Sequence, residues 1–294
     1  MAVENLEINW FSLNEHLQRW LQEDIGRGDQ TTLGLGNRGH SLGQGYWLAK
    51  APGIICGMSV AARVFQTLST ADSTDQQMEF TPCISEGTWV EAGTTIAQIQ
   101  GALSVLLTGE RVALNLAMHL SGIATATRRY VNEIEDLPTQ LVDTRKTTPG
   151  LRTLEKYAVR MGGGSNHRLG LDDGVMIKDN HIAAAGGIAE AIKGVRRTIP
   201  YPLTVEVETE NLQQVQEALD YGADIIMLDN MAPSLMKEAV QLIRRQRPQV
   251  KIEGSGNVTL QSIREIALTG VDYISSSAPI TRSAWLDLSM RLES

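Results

Sequence analysis

The feature that most constrains the fold is an alternation that begins at Leu141 and runs almost to the C-terminus. Short apolar runs at 141–142, 174–177, 203–207, 224–228, 250–252 and 271–274 read as strands. Stretches at 151–161, 186–197, 211–220, 233–245 and 259–268 carry helical periodicity between them. Parallel strands need a long crossover, and a helix is the usual one, so this rhythm predicts a parallel sheet, either closed as a barrel or open and doubly wound. Polar or small residues follow each run: Asp143 and Arg145; Lys178 and Asp179; Glu206 and Glu208; Asp229 and Asn230; Glu253, Ser255 and Gly256; Ser275 to Ser277. Both architectures collect ligands at the C-terminal ends of their strands, so a site is expected there.

The first hundred residues lack this rhythm and read as α+β. A helix is expected from Leu13 to Asp24, opened by a Ser12/Glu15 capping box, with Leu13, Leu17, Trp20 and Leu21 on one face. Strands are expected at 46–50 and 53–58 around a Pro52-Gly53 turn, then a helix over 60–68 and further strands between 78 and 100. Two helical stretches follow, 103–118 and 121–134, with a break expected near Ser121-Gly122. No catalytic constellation stands out here, and Arg111 reads as a solvated helix residue.

The charge argument is local sign against global sign. With 34 acidic and 26 basic residues and a formal charge of -8, the chain lacks the basic stripe of a nucleic-acid binder. Yet Arg145, Lys146, His167, Arg168 and Lys178 fall at turns and strand ends within 142–182. Guanidinium forks and ammonium groups suit carboxylates and phosphates. One such cation is ordinarily a surface charge; five so placed point to an anion site. Gly162 to Gly164 and the GSGN run at 254–257 can let backbone amides approach a phosphate, although neither matches a P-loop or a dinucleotide fingerprint. Glu208 and Asp229, each ending a strand, suit Mg²⁺ or sugar hydroxyls. Zinc-ligand spacing and a serine-hydrolase elbow are both missing. Neither a membrane-spanning apolar run nor a secretory signal is evident, and Cys56 and Cys83 form no disulfide framework, so a reducing cytoplasm is expected.

In order and spacing, the segments EDIGRGD, TGERVALNLAMHLSGIAT (108–125), DTRKTTPGLRTLEKYAV, GGGSNHRLGLDDGVMIKDNHI, VEVE, MLDN and EGSGN resemble the quinolinate phosphoribosyltransferase family over nearly the whole chain. The resemblance implies an α/β protein: a small N-terminal α/β sandwich (1–120, with 281–294 packing back on it) and an incomplete, seven-stranded α/β barrel (121–280). It implies an enzyme of NAD biosynthesis that converts quinolinate and phosphoribosyl pyrophosphate, with Mg²⁺, to nicotinate mononucleotide, pyrophosphate and CO₂. By similarity, Arg145, His167, Arg168 and Lys178 hold quinolinate, and Lys146 serves the pyrophosphate. Glu208 and Asp229 hold ribose hydroxyls and Mg²⁺, while Ser255, Gly256 and Ser277 meet the 5′-phosphate. A homodimer or a hexamer of dimers is implied, with Arg111 reaching a neighbour's site. One departure is visible: the family's glycine and its leucine-threonine-histidine run near the last strand are replaced by Ser275 to Arg282.

Two rivals follow from the residues. A βα-barrel lyase using Lys146 or Lys178 as a Schiff-base amine would give a borohydride-trappable adduct. A fold relative that binds another anion would need fewer of the five cations.

Overall fold

The structure is a computed structural model that describes residues 8–70 and 78–293. The first seven residues of the expected N-terminal domain and Ser294 of its returning tail lie outside the described residues. The chain forms twelve strands among the described residues: β1 (Leu42–Ala49), β2 (Gly53–Ile54), β3 (Glu79–Pro82), β4 (Trp89–Val90), β5 (Thr95–Ala102), β6 (Gln140–Val142), β7 (Val175–Ile177), β8 (Val205–Thr209), β9 (Ile225–Asp229), β10 (Lys251–Ser255), β11 (Tyr273–Ser275) and β12 (Leu288–Leu292). They divide between two compact units, one of residues 1–128, 148–163 and 282–294, the other of 129–147 and 164–281.

The first unit is built on an antiparallel sheet of order β12-β1-β5-β3, with β12 paired to β1 from Gly45–Leu292 to Ala49–Leu288. Trp47, Phe65 and Phe80 pack together beneath it, with Trp47 set edge-on to both phenyl rings. The helix Trp10–Ile25 buries Leu13, Leu17 and Leu21, the expected apolar face less Trp20. Its cap is Asn9, whose side chain accepts from the Phe11 amide, so the expected Ser12/Glu15 box is not the one used. Phe11 lies inside the first turn yet is 92% exposed, so it adds nothing to the buried face. The second strand stops at Ile54, because a carboxylate from Glu86 takes the amides of Gly57 and Ser59 and starts the helix Met58–Ser69.

The expected break at Ser121-Gly122 is absent: Leu103–Asn132 is one helix of 30 residues. Gly122 is there for contact, since a Cβ at that position would collide with the Ala284 carbonyl oxygen. Ser121 spends its hydroxyl on the Cys56 amide and carbonyl. Gly122→Ala should therefore lower the melting temperature by about 3–10 °C through overpacking, although alanine is the better helix former. A melting temperature equal to the parent's would show that the Ala284 segment moves aside.

The second unit is a parallel sheet of order β6-β11-β10-β9-β8-β7. Apolar side chains such as Val205, Val207, Ile226, Leu228, Ile252 and Ile274 are buried, packed by helix residues including Ile192, Val215, Leu219 and Ile243. Sheets covered on both faces read as near-continuous apolar runs, which is why these strands were legible. The seventh strand position is held by a single bridge, Val142–Ser165, with the Ser165 amide donating to Leu141 and the Asp143 amide to Ser165. The stretch expected as one helix over 186–197 begins after Gly186 and Gly187, both in left-handed backbone, which separate Asp179–Ala185 from Ile188–Arg196. Among the described residues no helix is long and apolar enough to cross a membrane.

Candidate active site

Parallel pairing brings every strand of the second unit to the same edge with its C-terminal end, and the register fixes which residues meet there. Val142 faces Ser275, Ser255 faces Asp229, Glu208 faces Met227, and Ile177, just before Lys178, faces Val207. The side chain after β6, Asp143, is 1% exposed. Its carboxylate accepts from the His167 amide at 2.9 Å and from Asn166 Nδ2 at 2.6 Å, which pins the loop after the Ser165 bridge.

The His167 ring sits over two more buried acids. Its Nε2 lies 3.0 Å from Glu206 Oε2 and 3.4 Å from Glu253 Oε2, and its Nδ1 accepts the Arg168 amide at 2.7 Å. Burial pulls the His167 pKa down, but hydrogen bonds and charge from Glu206 and Glu253 outweigh it and push the value up to about 10. A value that high would put a second proton on Nδ1 at neutral pH, but two hydrogens do not fit the 2.7 Å gap to the Arg168 amide; the geometry therefore assigns the proton to Nε2, facing the carboxylates, with Nδ1 as acceptor. Arg168 donates from Nη1 to the Gly174 carbonyl at 2.9 Å. Burial, then the nearby Arg145, hold the Arg168 pKa below its usual value. Arg145 has its Nε buried without a hydrogen-bond partner. Two guanidinium groups thus oppose each other's charge at the strand ends of an acidic chain, an arrangement that an anion relieves.

On the neighbouring strands, Lys178 Nζ donates to Glu208 Oε2 at 2.5 Å. Beyond β9, Asn230 takes left-handed backbone (φ 51°), bonds Asp229 Oδ2 through its side chain at 2.5 Å, and donates its amide to the Ser255 carbonyl. Gly256 (φ 104°) lies against it, and a Cβ there would collide with the Asn230 side chain. Positive φ at Asn230, Gly256 and Asn257 turns the backbone sharply after β9 and β10, the kind of turn from which an anion nest can be built. Ser277 gives its carbonyl to the Ile280 and Thr281 amides.

Of the residues expected in the site, Arg145, His167, Arg168, Lys178, Glu208, Asp229, Ser255, Gly256 and Ser277 therefore stand at one sheet edge. Lys146 is there by position, with an exposed side chain. Arg111 belongs to the first unit, is exposed, and makes no hydrogen bond among the described residues. Sequence reasoning gave no role to Glu206, Glu253 or Asn166. The available signal was the alternation in VEVE and KIEGS, which puts Glu206 on the same face as Glu208 and Glu253 on the same face as Ser255, two residues already placed at the strand ends.

Two family models match the chain over most of its length. The model described as quinolinate phosphoribosyl transferase, C-terminal domain, matches residues 123–291, and that of the N-terminal domain matches 29–121. The chain belongs to the quinolinate phosphoribosyltransferase family. A probable carboxylating nicotinate-nucleotide pyrophosphorylase from Synechocystis sp. is 59% identical over 283 residues, 96% of this chain and 93% of that one. One from Bacillus subtilis is 42% identical, covering 96% and 94%. The solved nicotinate-nucleotide pyrophosphorylase from Francisella tularensis superposes with a TM-score of 0.89 at 36% identity, covering 100% of this chain and 99% of that one. As a member of the quinolinate phosphoribosyltransferase family, the chain is a pentosyltransferase of α/β architecture, with an N-terminal antiparallel domain and a C-terminal parallel sheet of the family's barrel type.

Proposed function

We propose that the strand-end pocket carries the family reaction through positioning and charge: quinolinate and phosphoribosyl pyrophosphate give nicotinate mononucleotide, pyrophosphate and CO₂. The observation that carries this reading is the crowding of Arg145 against Arg168 beside a left-handed backbone cradle, in a chain of net charge -8. A dicarboxylate next to a phosphate ester answers both features. Arg145 and Arg168 take the two carboxylates of quinolinate, with His167 at their base and Lys178 at the rim. Gly256, Ser255 and Ser277 receive the 5′-phosphate, and the exposed Lys146 meets the pyrophosphate.

Glu208 and Asp229 fit Mg²⁺, because both are hard carboxylate donors on adjacent strands and each has an oxygen beyond the one bonded to Lys178 or Asn230. The ion, when bound with the substrate's phosphates, supplies charge that offsets the departing pyrophosphate. The pyridine nitrogen attacks the anomeric carbon with its own lone pair, so the chain need not supply a strong base. Its groups hold ring and sugar in line, and the quaternised nitrogen then stabilises the carbanion left at C2 as CO₂ departs; that carbanion takes one proton from solvent to give the product. We further read the enzyme as a cytoplasmic homodimer, singly or in a hexamer, in which Arg111 completes the site of the partner subunit.

The test is turnover with phosphoribosyl pyrophosphate and Mg²⁺ on quinolinate and on nicotinate in parallel, following mononucleotide and CO₂. Turnover on quinolinate alone, with one CO₂ per mononucleotide, is expected. Turnover on nicotinate alone would remove the dicarboxylate pocket from the reading.

A further inference from the structure

The mechanism leaves unused the most unusual feature of the second unit, two buried carboxylates facing one imidazole. Glu206 is 2% exposed and Glu253 3%. Each turns one oxygen to His167 Nε2 and keeps its other, Oε1, buried without a hydrogen-bond partner. Burying an acid with an orphaned oxygen is costly, and placing two side by side adds like-charge repulsion. An apolar pair of similar volume would serve the fold better. Their placement therefore answers to something other than stability.

We propose that Glu206 and Glu253 are positioning residues: by holding the Nε2 proton of His167 they keep Nδ1 as the acceptor that anchors the Arg168 amide, and so aim the Arg168 guanidinium at a substrate carboxylate. Three strands each send a buried acid to one three-residue segment. Asp143, after β6, takes the His167 amide and the Asn166 side chain; Glu206 on β8 and Glu253 on β10 take the imidazole. The ring passes the constraint on, because Nδ1 bonds the amide of the next residue. Arg168 is then fixed at both ends, by its amide and by Nη1 on the Gly174 carbonyl, with its remaining N–H groups left for a ligand. The logic is that of a carboxylate that fixes a histidine tautomer in a catalytic triad, applied to a binding arginine.

The same three side chains, with ligand atoms all within 4.8 Å of one another, have the donor set of a divalent-cation site. The guanidinium groups of Arg145 and Arg168 beside them oppose a second positive centre, so the hydrogen-bonded reading is preferred, and the experiment separates the two.

The inference rests on Arg168 binding quinolinate, which Arg168→Lys tests by itself: an unchanged KM for quinolinate would remove that premise whatever the glutamates do. With the premise standing, Glu206→Gln and Glu253→Gln keep shape but present an amide that can donate to Nε2 and invert the tautomer. Each should raise the KM for quinolinate about 10–100-fold, the size of effect seen when a metal-bound histidine loses the carboxylate that orients it. The KM for phosphoribosyl pyrophosphate should stay within about threefold and the melting temperature should not fall. Nitrogen-15 spectra, with His167 assigned through a His167→Asn variant, should show an Nε2–H ring in the parent and an altered one in the variants. Should either variant fail to fold, the parent's tautomer and the other variant decide. A parent ring protonated at Nδ1, whether alone or together with Nε2, equal rises in both KM values, or stoichiometric Mn²⁺ or Zn²⁺ binding by the substrate-free parent that Glu206→Gln abolishes would each overturn the proposal.

Discussion

Arg145→Ala should lower kcat/KM for quinolinate about a thousandfold, roughly 4 kcal/mol of transition-state stabilisation, while leaving the protein at least as stable as its parent. The size follows from what the side chain has to offer. A charge-assisted hydrogen bond to a carboxylate contributes about 1.5–3 kcal/mol, and a two-pronged one adds a second bond along with its geometry. Arg145 has a buried Nε that meets no acceptor within the chain, so that part of its fork is uncommitted. The stability arm follows from the neighbour. Arg145 acts on Arg168 as a like charge in a partly buried place, and removing it relieves that repulsion. Arg145→Lys retains the charge without the planar fork and should fall between, at about thirtyfold. The pairing of lost activity with unreduced melting temperature is the informative readout. An activity within about tenfold of the parent's would mean that Arg168 holds the substrate without its neighbour.

How much of this was legible depended on what kind of force set each feature. The βα alternation was readable because strands covered on both faces must be continuously apolar, and the six runs at 141–142 through 271–274 recur as β6 to β11 with no end moved by more than three residues. The cations were readable because Arg145, Arg168 and Lys178 stand at strand ends against a negative background. The Ser165 bridge was not, since one residue leaves no periodicity to find. Gly122 was misread because a glycine that admits a close contact and a glycine that breaks a helix look alike in sequence. Glu206 and Glu253 were visible as residues but silent as a pair, 47 positions apart in the chain and joined only when β9 brings β8 and β10 around His167. Asn9 took the cap from Ser12 because the helix begins one turn earlier than its apolar stripe suggested.

The second large effect tests whether a site is completed by another copy of the chain. Arg111→Ala and Lys178→Ala should each lose nearly all activity, for different reasons. Lys178 is held by Glu208 at the strand edge, so its loss removes a substrate cation and leaves an acid unpaired in the same pocket. Arg111 is exposed on the long helix without a hydrogen-bond partner among the described residues, which is how a side chain stands when its acceptor lies on another molecule. If Arg111 serves the partner subunit, a mixed dimer of the two variants contains one site that lacks both groups and one that has both. Equal mixing with free exchange then restores about a quarter of the parent's activity, because half of the dimers are mixed and each has one intact site. If Arg111 served its own subunit, every site in every dimer would lack one group, and no activity would return however completely the subunits exchanged. Subunit exchange followed by a fluorescence label on each variant makes the zero result as decisive as the quarter. The two readings differ only in which molecule supplies the guanidinium, and no structural perturbation by either substitution can imitate recovery on mixing.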